Sequence, residues 1–182
     1  MKTSKLFILL LSVIVLFSGC ASQSTSTIVG CNYDEKKNVT NYFVIPYGSV
    51  DLPGVWEKTE YNSIARQQFF KNKDDVHISI AFSPWNKYEF NGDGKLKGND
   101  FTSAYYKWES DYFISNGFES QLIETDTAHQ FIIFRIYSDK ANNYFLIGER
   151  NGHVSNYSVQ ATDKWSDQER IDFLKKLYLQ DK

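Results

Sequence analysis

Residues 89–100 carry oxygen-bearing side chains at a spacing that a calcium ion can use. The first, third, fifth and twelfth places of this stretch hold Glu89, Asn91, Asp93 and Asp100. The sixth place is glycine and the eighth is apolar, as in the calcium loop D-x-[DN]-x-[DN]-G-x₅-E. Three features disagree with that loop: Glu stands first, a short Asp stands last, and Lys95 and Lys97 add positive charge. The pattern therefore predicts at most a weak calcium site, with a metal-free glycine-rich turn as the alternative, and no other cofactor.

Trp85 and Tyr88 lie in a stretch without regular periodicity, so they are the aromatic residues that we expect to be exposed. An exposed pair of this kind is suited to binding a protein partner or a glycan. The remaining tryptophans fall within periodic segments, where burial at sheet–helix contacts is expected. These are Trp56, Trp108 and Trp165.

No catalytic group can be assembled from residue spacing alone. The carboxylate pairs Glu57/Glu60 and Glu124/Asp126 lie on presumed strands, where alternation turns them toward solvent. The three histidines, at positions 77, 129 and 153, are dispersed, and no Cys/His set has zinc spacing. The nucleophile elbow, the P-loop and the dinucleotide fingerprint are absent from the sequence. We therefore assign no catalytic residue and expect a protein that is not an enzyme.

The first twenty residues are typical of an export signal that ends at a cysteine. Lys2 and Lys5 precede an apolar run over residues 6–17, and small residues lead directly to Cys20. As a helix this run spans only about 18 Å, less than the ~30 Å hydrocarbon core of a bilayer. A transmembrane anchor is therefore not expected, and a plain cleaved secretory signal is the remaining alternative.

The small residues before Cys20 resemble the lipobox of bacterial lipoproteins, with Phe17 where that motif usually has Leu. The resemblance implies that the leader, residues 1–19, is removed and that Cys20 receives fatty acyl chains that anchor it in a membrane. Ala21 stands where an inner-membrane retention signal tends to carry Asp. We therefore expect a lipid-anchored protein of the bacterial cell envelope, at the outer membrane if the host has two membranes.

The charge balance argues against a nucleic-acid partner. The chain has 20 Lys and Arg against 22 Asp and Glu, a formal net charge of −2, and it loses two lysines with the leader. Nucleic-acid binding favours a basic patch, and attraction to anionic lipid needs a polybasic segment. The acyl chains alone are thus expected to hold the protein at the membrane. With Cys20 acylated, Cys31 has no intrachain disulfide partner and is expected to be a buried small side chain, a free thiol or an intermolecular bridge.

Periodicity predicts strands and then a helix after residue 50. Residues 55–61 and 65–71 form a hairpin, and residues 76–82 alternate as a strand with one buried and one polar face. Residues 101–116 have a helical aromatic stripe, for which core packing is favoured over a ligand platform. The stripe consists of Phe101, Tyr105, Trp108 and Tyr112.

A second run of strands is predicted over residues 121–161, followed by a last helix. Residues 131–134 are apolar at every position, as in a strand covered on both faces. Asn142-Asn143 is predicted to turn the chain, and Asn151-Gly152 is the strongest hairpin signal. Ser166 and the Glu three residues later form a capping box that opens the final helix.

The order strands, helix, strands, helix predicts one α+β domain with an antiparallel β-sheet flanked by helices. This layout resembles the PsbP-like α/β/α sandwich, chiefly through residues 131–136, 144–148 and 165–179. PsbP-like proteins are mostly non-enzymatic binding or assembly modules, some with metal sites. No ligand residue of that family has an identifiable counterpart here.

The expected organisation has three parts. Residues 1–19 are the signal peptide, residues 20–50 are the acylated cysteine, a polar tether and an N-terminal arm, and residues 51–182 are the α+β domain. The first hypothesis for function is a lipid-anchored binding or assembly module with a protein partner. An immunity-type lipoprotein that neutralises a toxin is the alternative, and an envelope hydrolase is a third reading.

Overall fold

The computed structural model describes residues 26–180, so the expected signal peptide and the expected acylation of Cys20 lie outside the described residues. The first six strands are β1 (Ile28–Asp34), β2 (Val39–Ile45), β3 (Gly48–Pro53), β4 (Glu57–Asn62), β5 (Gln67–Lys71) and β6 (His77–Pro84). The later strands are β7 (Glu119–Asp126), β8 (Phe131–Ser138), β9 (Ala141–Arg150) and β10 (His153–Val159). The helices are α1 (Gly98–Ser115) and α2 (Asp167–Tyr178), with short 3₁₀ turns at Trp85–Lys87 and Glu89–Asn91.

The strands form two antiparallel sheets. A small sheet has the order β1-β2-β3, and a large sheet has the order β4-β5-β6-β10-β9-β8-β7. β6 and β10 pair at the centre of the large sheet, where Ile80 lies opposite Tyr157. The predicted α+β domain, an antiparallel sheet flanked by helices, is confirmed.

One face of the large sheet is covered by the small sheet together with α2. Tyr42 and Leu52 of the small sheet and Leu174 and Leu177 of α2 are buried in a single apolar cluster with the large-sheet strands. The other face is covered by α1 and the 3₁₀ turns, which bury Tyr88, Phe101 and Tyr105. Burying apolar side chains on both faces is the main force that holds the layers together.

β8 contributes to both cores, as its composition predicts. Phe131 and Ile133 belong to the cluster under the small sheet and α2, while Ile132 and Phe134 belong to the cluster under α1. Successive residues of a strand point to opposite faces, so an unbroken apolar run fits a strand that is covered twice.

The described part of the predicted arm over residues 20–50 is not an arm but belongs to a β-sheet. Residues 28–53 form the small sheet, whose Tyr42, Val44, Val50 and Leu52 are buried in the main core, and a boundary at residue 50 would cut β3. β1 lacks an alternating apolar pattern because it is an edge strand that is mostly exposed on both faces. The small sheet is part of the domain.

Two further strand predictions are also corrected. β6 has no polar face toward solvent, because its serines are buried and Ser79 hydrogen bonds Ser158 of β10. Asn142 and Asn143 lie inside β9, and the chain turns before them at residues 139–140. The Asn142 Oδ1 accepts from Arg135 Nε, so this amide supports the strand pair that it was expected to end.

The helix ends follow the predicted local chemistry. Ser166 caps α2, with its hydroxyl accepting from the Glu169 N–H and the Glu169 carboxylate accepting from the Ser166 N–H. Gly117 follows α1 with a φ of 85°, and Asn151 and Gly152 make the β9–β10 turn with φ values of 53° and 84°. Within residues 26–180, neither helix is long and apolar enough to cross a membrane.

Candidate binding cleft

A cleft of about 580 Å³, the main cleft, opens between the small sheet, the end of α2 and the β9–β10 turn. Phe82 of β6 and Tyr157 of β10 are buried aromatic residues of its lining, and their rings meet edge to face at 5.9 Å. Gly48 lies directly against Phe82, where an added Cβ would stand 2.4 Å from the ring. This close approach brings the β2–β3 turn down onto the large sheet and shapes one wall.

The walls of the main cleft are aromatic on both sides. Pro46 and Tyr47 form the small-sheet wall, and the Tyr47 ring meets the His153 ring edge to face at 5.9 Å. Leu177 and Tyr178 of α2 form the opposite wall. Apolar walls of this kind remove a bound side chain from water, which is the main contribution to affinity in small pockets.

Tyr178 is held in place by three contacts. Its hydroxyl donates to the His129 carbonyl oxygen at 3.1 Å, its ring packs on the Gly148 backbone, and the Arg150 guanidinium lies 4.4 Å above the ring centre. Burial raises the pKa of Tyr178 to about 12, with the Arg150 charge acting in the opposite direction. The phenol therefore stays neutral and serves as a platform for the Arg150 cation.

The C-terminal end of α2 is tied to the small sheet beside the cleft. Gln180 Nε2 donates to the Asp51 carbonyl oxygen at 2.7 Å, and the Asp51 N–H donates back to Gln180 Oε1 at 2.9 Å. Because this reciprocal pair joins the two walls, the main cleft is a fixed feature of the domain and not a gap between independent elements.

A second opening of about 600 Å³, the side cleft, lies on the other side of the β9–β10 turn. It is lined by His129, Gln130 and Leu179, and it shares Arg150 and Asn151 with the main cleft. Arg150 is exposed, and among residues 26–180 it takes part in no salt bridge. An exposed guanidinium without a carboxylate partner is suited to binding an acidic group from another molecule.

His129, which lines the side cleft, is paired with Asp126. His129 Nδ1 lies 2.8 Å from Asp126 Oδ2, and Asp126 Oδ1 accepts from the His129 N–H at 2.9 Å. The hydrogen bonds from the His129 ring and backbone hold the pKa of Asp126 below its usual value. A carboxylate that orients an imidazole is one part of many catalytic sites. Here the same carboxylate closes the β7–β8 turn through the backbone N–H, which accounts for the geometry without chemistry.

The hydrogen bonds of histidine rings in the described residues are limited to such pairs with aspartate. His77 and His129 are the two histidines of residues 26–180 with hydrogen-bonded rings, and each ring bonds an aspartate, not a hydroxyl or a thiol. Cys31 is half-buried and free, and burial raises the pKa of its thiol, which disfavours the nucleophilic thiolate. The arrangement is suited to binding an aromatic or apolar group beside an acidic one.

The predicted calcium residues do not come together in this structure. Asn91 is completely buried, and its Oδ1 accepts from the Leu96 N–H at 2.9 Å while its Nδ2 donates to the Leu96 carbonyl oxygen at 3.1 Å. Asp93 pairs with Lys95 at 2.8 Å, and Glu89 and Asp100 are exposed. Residues 26–180 contain no group of three or more His, Cys, Asp or Glu that could hold a metal ion. The loop is closed by its own amide, in keeping with the glycine-rich turn.

Of the predicted partner-binding pair, Tyr88 is buried and Trp85 is half-buried. Tyr88 is in the core beneath α1, where its ring contacts Phe101 and Tyr105 and its hydroxyl lies 3.1 Å from the Ser83 hydroxyl. The expectation that Tyr88 is exposed is therefore wrong, because the 3₁₀ turns fold this loop back onto the sheet. Trp85 is half-buried, with the Lys97 ammonium 4.6 Å above its ring. Trp56, Trp108 and Trp165 pack against the two cores, as expected.

Sequence reasoning missed the residues that form the main cleft. Tyr47, Arg150, His153 and Tyr178 come from four segments, and they meet only because the small sheet packs on the large one. The one usable signal was the Asn151-Gly152 turn, which places Arg150 and His153 on either side of a tight hairpin. Nothing in the spacing indicates that Tyr47 lies opposite this turn.

No protein-family model matches the chain, and no curated protein matches it. Among solved structures, the chain is similar to the solution structure of cyanobacterial PsbP (CyanoP) from Synechocystis sp. PCC 6803. The two have 14% sequence identity over 90% of this chain and 94% of that chain, with a TM-score of 0.41. A likeness this distant carries no argument about activity or partner.

Proposed function

We propose that this chain is a lipid-anchored protein of the bacterial cell envelope whose domain binds a protein partner without catalysis, through the main cleft. The observation that carries the binding proposal is Arg150, which lies on Tyr178 at the mouth of an aromatic cleft and has no ion pair among the described residues. The expected ligand is a partner segment with an acidic side chain next to an aromatic or apolar one.

Three features support the binding proposal. The walls of the cleft are tied together through Gln180 and Asp51, so the surface is formed before a ligand arrives. Three of its four buried lining residues are aromatic, and aromatic side chains together with arginine dominate binding energy at protein interfaces. The lipobox-like ending at Cys20 supports the location, since acylation there would hold the domain at a membrane.

The partner can be identified by crosslinking in intact cells. A photoreactive amino acid in place of Asn151, at the tip of the β9–β10 turn, should give a crosslinked product, whereas the same amino acid in place of Lys140 should not. Lys140 is the matched control, because it occupies the β8–β9 turn at the opposite end of β9. Arg150→Glu should reduce the crosslink, and Lys140→Glu should leave it unchanged.

Two results would count against the proposal. Equal crosslinking from positions 151 and 140, or a crosslink that survives Arg150→Glu, would remove the main cleft as the binding surface. The anchor is tested separately by mass spectrometry of Cys20 and by fractionation of a Cys20→Ser variant. A crosslinked toxin would identify the immunity-type alternative.

A further inference from the structure

The described chain begins at the same end of the domain as the main cleft. Ile28, the first residue of β1, pairs with Ile45 at the end of β2. The β2–β3 turn that follows Ile45 carries Tyr47, whose ring contacts His153 at the start of β10. The chain therefore enters the domain close to the β9–β10 turn and the mouth of the cleft.

This end of the domain exposes large aliphatic side chains. Ile28 is 57% exposed, Val29 52% and Ile45 50%, and Ile64 in the β4–β5 turn is 91% exposed. The β4–β5 turn belongs to the same end, because Lys87 Nζ, from the loop after β6, donates to the Ala65 carbonyl oxygen at 2.8 Å. Single exposed apolar residues are common, but here Ile28 and Ile45 are a cross-strand pair, and the other two side chains lie at the same end of the domain. A concentration of exposed apolar side chains in one region marks an interaction surface.

Two cations lie beside Ile64. Arg66 is exposed, and Lys87 is half-buried close to it, because Lys87 Nζ donates to the carbonyl oxygen of the neighbouring Ala65. Apolar side chains flanked by basic residues match a membrane surface, where acyl chains lie beneath anionic headgroups.

The length of chain before β1 limits how far this end can lie from a bilayer. Ile28 is eight residues after Cys20. Even a fully extended segment of that length spans only about 28 Å. The opposite end of the domain, with the C-terminus of α1 and the β8–β9 turn, is farther from Ile28 by the length of the strands.

We propose that this end of the domain rests on the lipid bilayer, with Ile28, Val29, Ile45 and Ile64 in contact with its interfacial layer. The inference depends on the acylation of Cys20 in the proposed function. It replaces the expectation that acyl chains alone hold the protein, because the domain adds its own contact. It also places the mouth of the main cleft at the lipid surface, so that a ligand is met there and not in bulk solvent.

The contact can be measured with the full-length acylated protein in vesicles of phosphatidylethanolamine and phosphatidylglycerol. In a Cys31→Ser background, a polarity-sensitive fluorophore is attached through Ile45→Cys, and as a control through Ile114→Cys. Ile114 is an equally exposed isoleucine near the C-terminus of α1, at the opposite end. The label at position 45 should shift to the blue and lose most of its emission when nitroxide-labelled lipid is included, while the label at 114 should change little.

Each outcome decides a different point. Equal quenching at positions 45 and 114, or quenching at neither in a sample whose Cys20 is acylated, overturns the docking and leaves the anchor intact. A blue shift at 45 without lipid quenching indicates a second copy of the chain on this surface and also overturns the docking. Unacylated Cys20 in membranes from cells overturns the anchor, and the docking proposal falls with it. Ile64→Asp should reduce the quenching at position 45, and Ile114→Asp should not.

Discussion

The buried carboxylate of Glu149 accepts a hydrogen bond from the backbone N–H of Gly98, across 51 positions of sequence. Gly98 is the first residue of α1 and has a φ of 51°, and no side chain of the helix caps this end. The other oxygen of Glu149 accepts from the Gly152 N–H at 2.7 Å. One carboxylate from β9 thus caps α1 and closes the β9–β10 turn, which lies at the mouth of the main cleft.

Removal of the Glu149 carboxylate should destabilise the domain strongly, because two backbone N–H groups lose their acceptor. Glu149→Ala leaves two backbone N–H groups in a buried site without an acceptor, and each such group costs about 1–3 kcal/mol. We expect a loss of about 3 kcal/mol in the free energy of unfolding, measured by urea denaturation. Glu149→Gln keeps one acceptor oxygen, so its unfolding free energy should lie between that of the native protein and that of Glu149→Ala.

Glu57 provides the control for Glu149. It is exposed on the edge strand β4, so Glu57→Ala should change the unfolding free energy by no more than about 0.5 kcal/mol. Similar losses for Glu149→Ala and Glu57→Ala would show that the cap contributes nothing.

Glu109 should make the stability of the domain depend on pH near neutrality. It lies on α1 beside Tyr105, and burial raises the pKa of Glu109 from 4.5 to about 7. The folded state therefore favours the protonated acid, so this contribution is fully present below pH 4.5 and is lost as the pH rises through 7. Glu109 alone should lower the unfolding free energy by about 2–3 kcal/mol between pH 4.5 and pH 8.

The Glu109→Gln variant isolates that contribution, because the amide is neutral at every pH. Its unfolding free energy should equal that of the native protein near pH 4.5 and exceed it by about 2–3 kcal/mol at pH 8. The difference between the two proteins cancels the other titrating groups. Glu57→Gln, at an exposed position, is the control for the substitution itself. Parallel curves for Glu109→Gln and the native protein would contradict the prediction.

Local patterns in the sequence predicted the elements whose signals are local. The capping box at Ser166, the Asn151-Gly152 turn and the doubly apolar run at residues 131–134 all depend on neighbours in sequence, and all are present. Tyr88 was misplaced because its burial depends on α1 packing over its loop, a contact between distant segments.

The small sheet and the main cleft also depend on contacts between segments that are distant in sequence. A Cβ added at Gly30 of β1 would stand only 2.1 Å from the Phe43 ring, so the absence of a side chain here lets that ring lie across the strand. In sequence it only weakens the strand pattern. The cleft depends on Gly48 meeting Phe82 and on Gln180 meeting Asp51, and such pairs cannot be derived from periodicity.

Gly148 should not tolerate a side chain. An added Cβ at this position of β9 would lie 2.2 Å from the ring of Tyr178, which is fixed by hydrogen bonds and by Arg150. Gly148→Ala should therefore cost about 1–3 kcal/mol, seen as a lower urea midpoint, and should weaken partner binding by displacing a wall of the main cleft. Gly92→Ala is the matched control, because Gly92 has an ordinary helical φ and its Cβ would meet only one atom, at 4.0 Å. Equal midpoints for the two variants would rule out the clash.

Asn91 separates a structural role of residues 89–100 from a calcium site. Its amide bonds the Leu96 backbone in both directions and donates to the Trp85 carbonyl oxygen at 3.4 Å. Asn91→Asp keeps the acceptor oxygen but turns the donor into a second oxygen that faces two carbonyls. We expect it to lower the unfolding free energy by about 2–4 kcal/mol, with or without calcium.

In a calcium loop the same change would add a charged ligand at the third position and raise the affinity for calcium. Thermal melting of the native protein and of Asn91→Asp, each with and without millimolar calcium, tests both readings, with Asp93→Asn and Asp100→Asn as controls at the exposed positions. A calcium-dependent rise in melting temperature that Asn91→Asp enlarges and the controls abolish would overturn the structural role, because a buried amide already committed to its own backbone has no oxygen free for a cation.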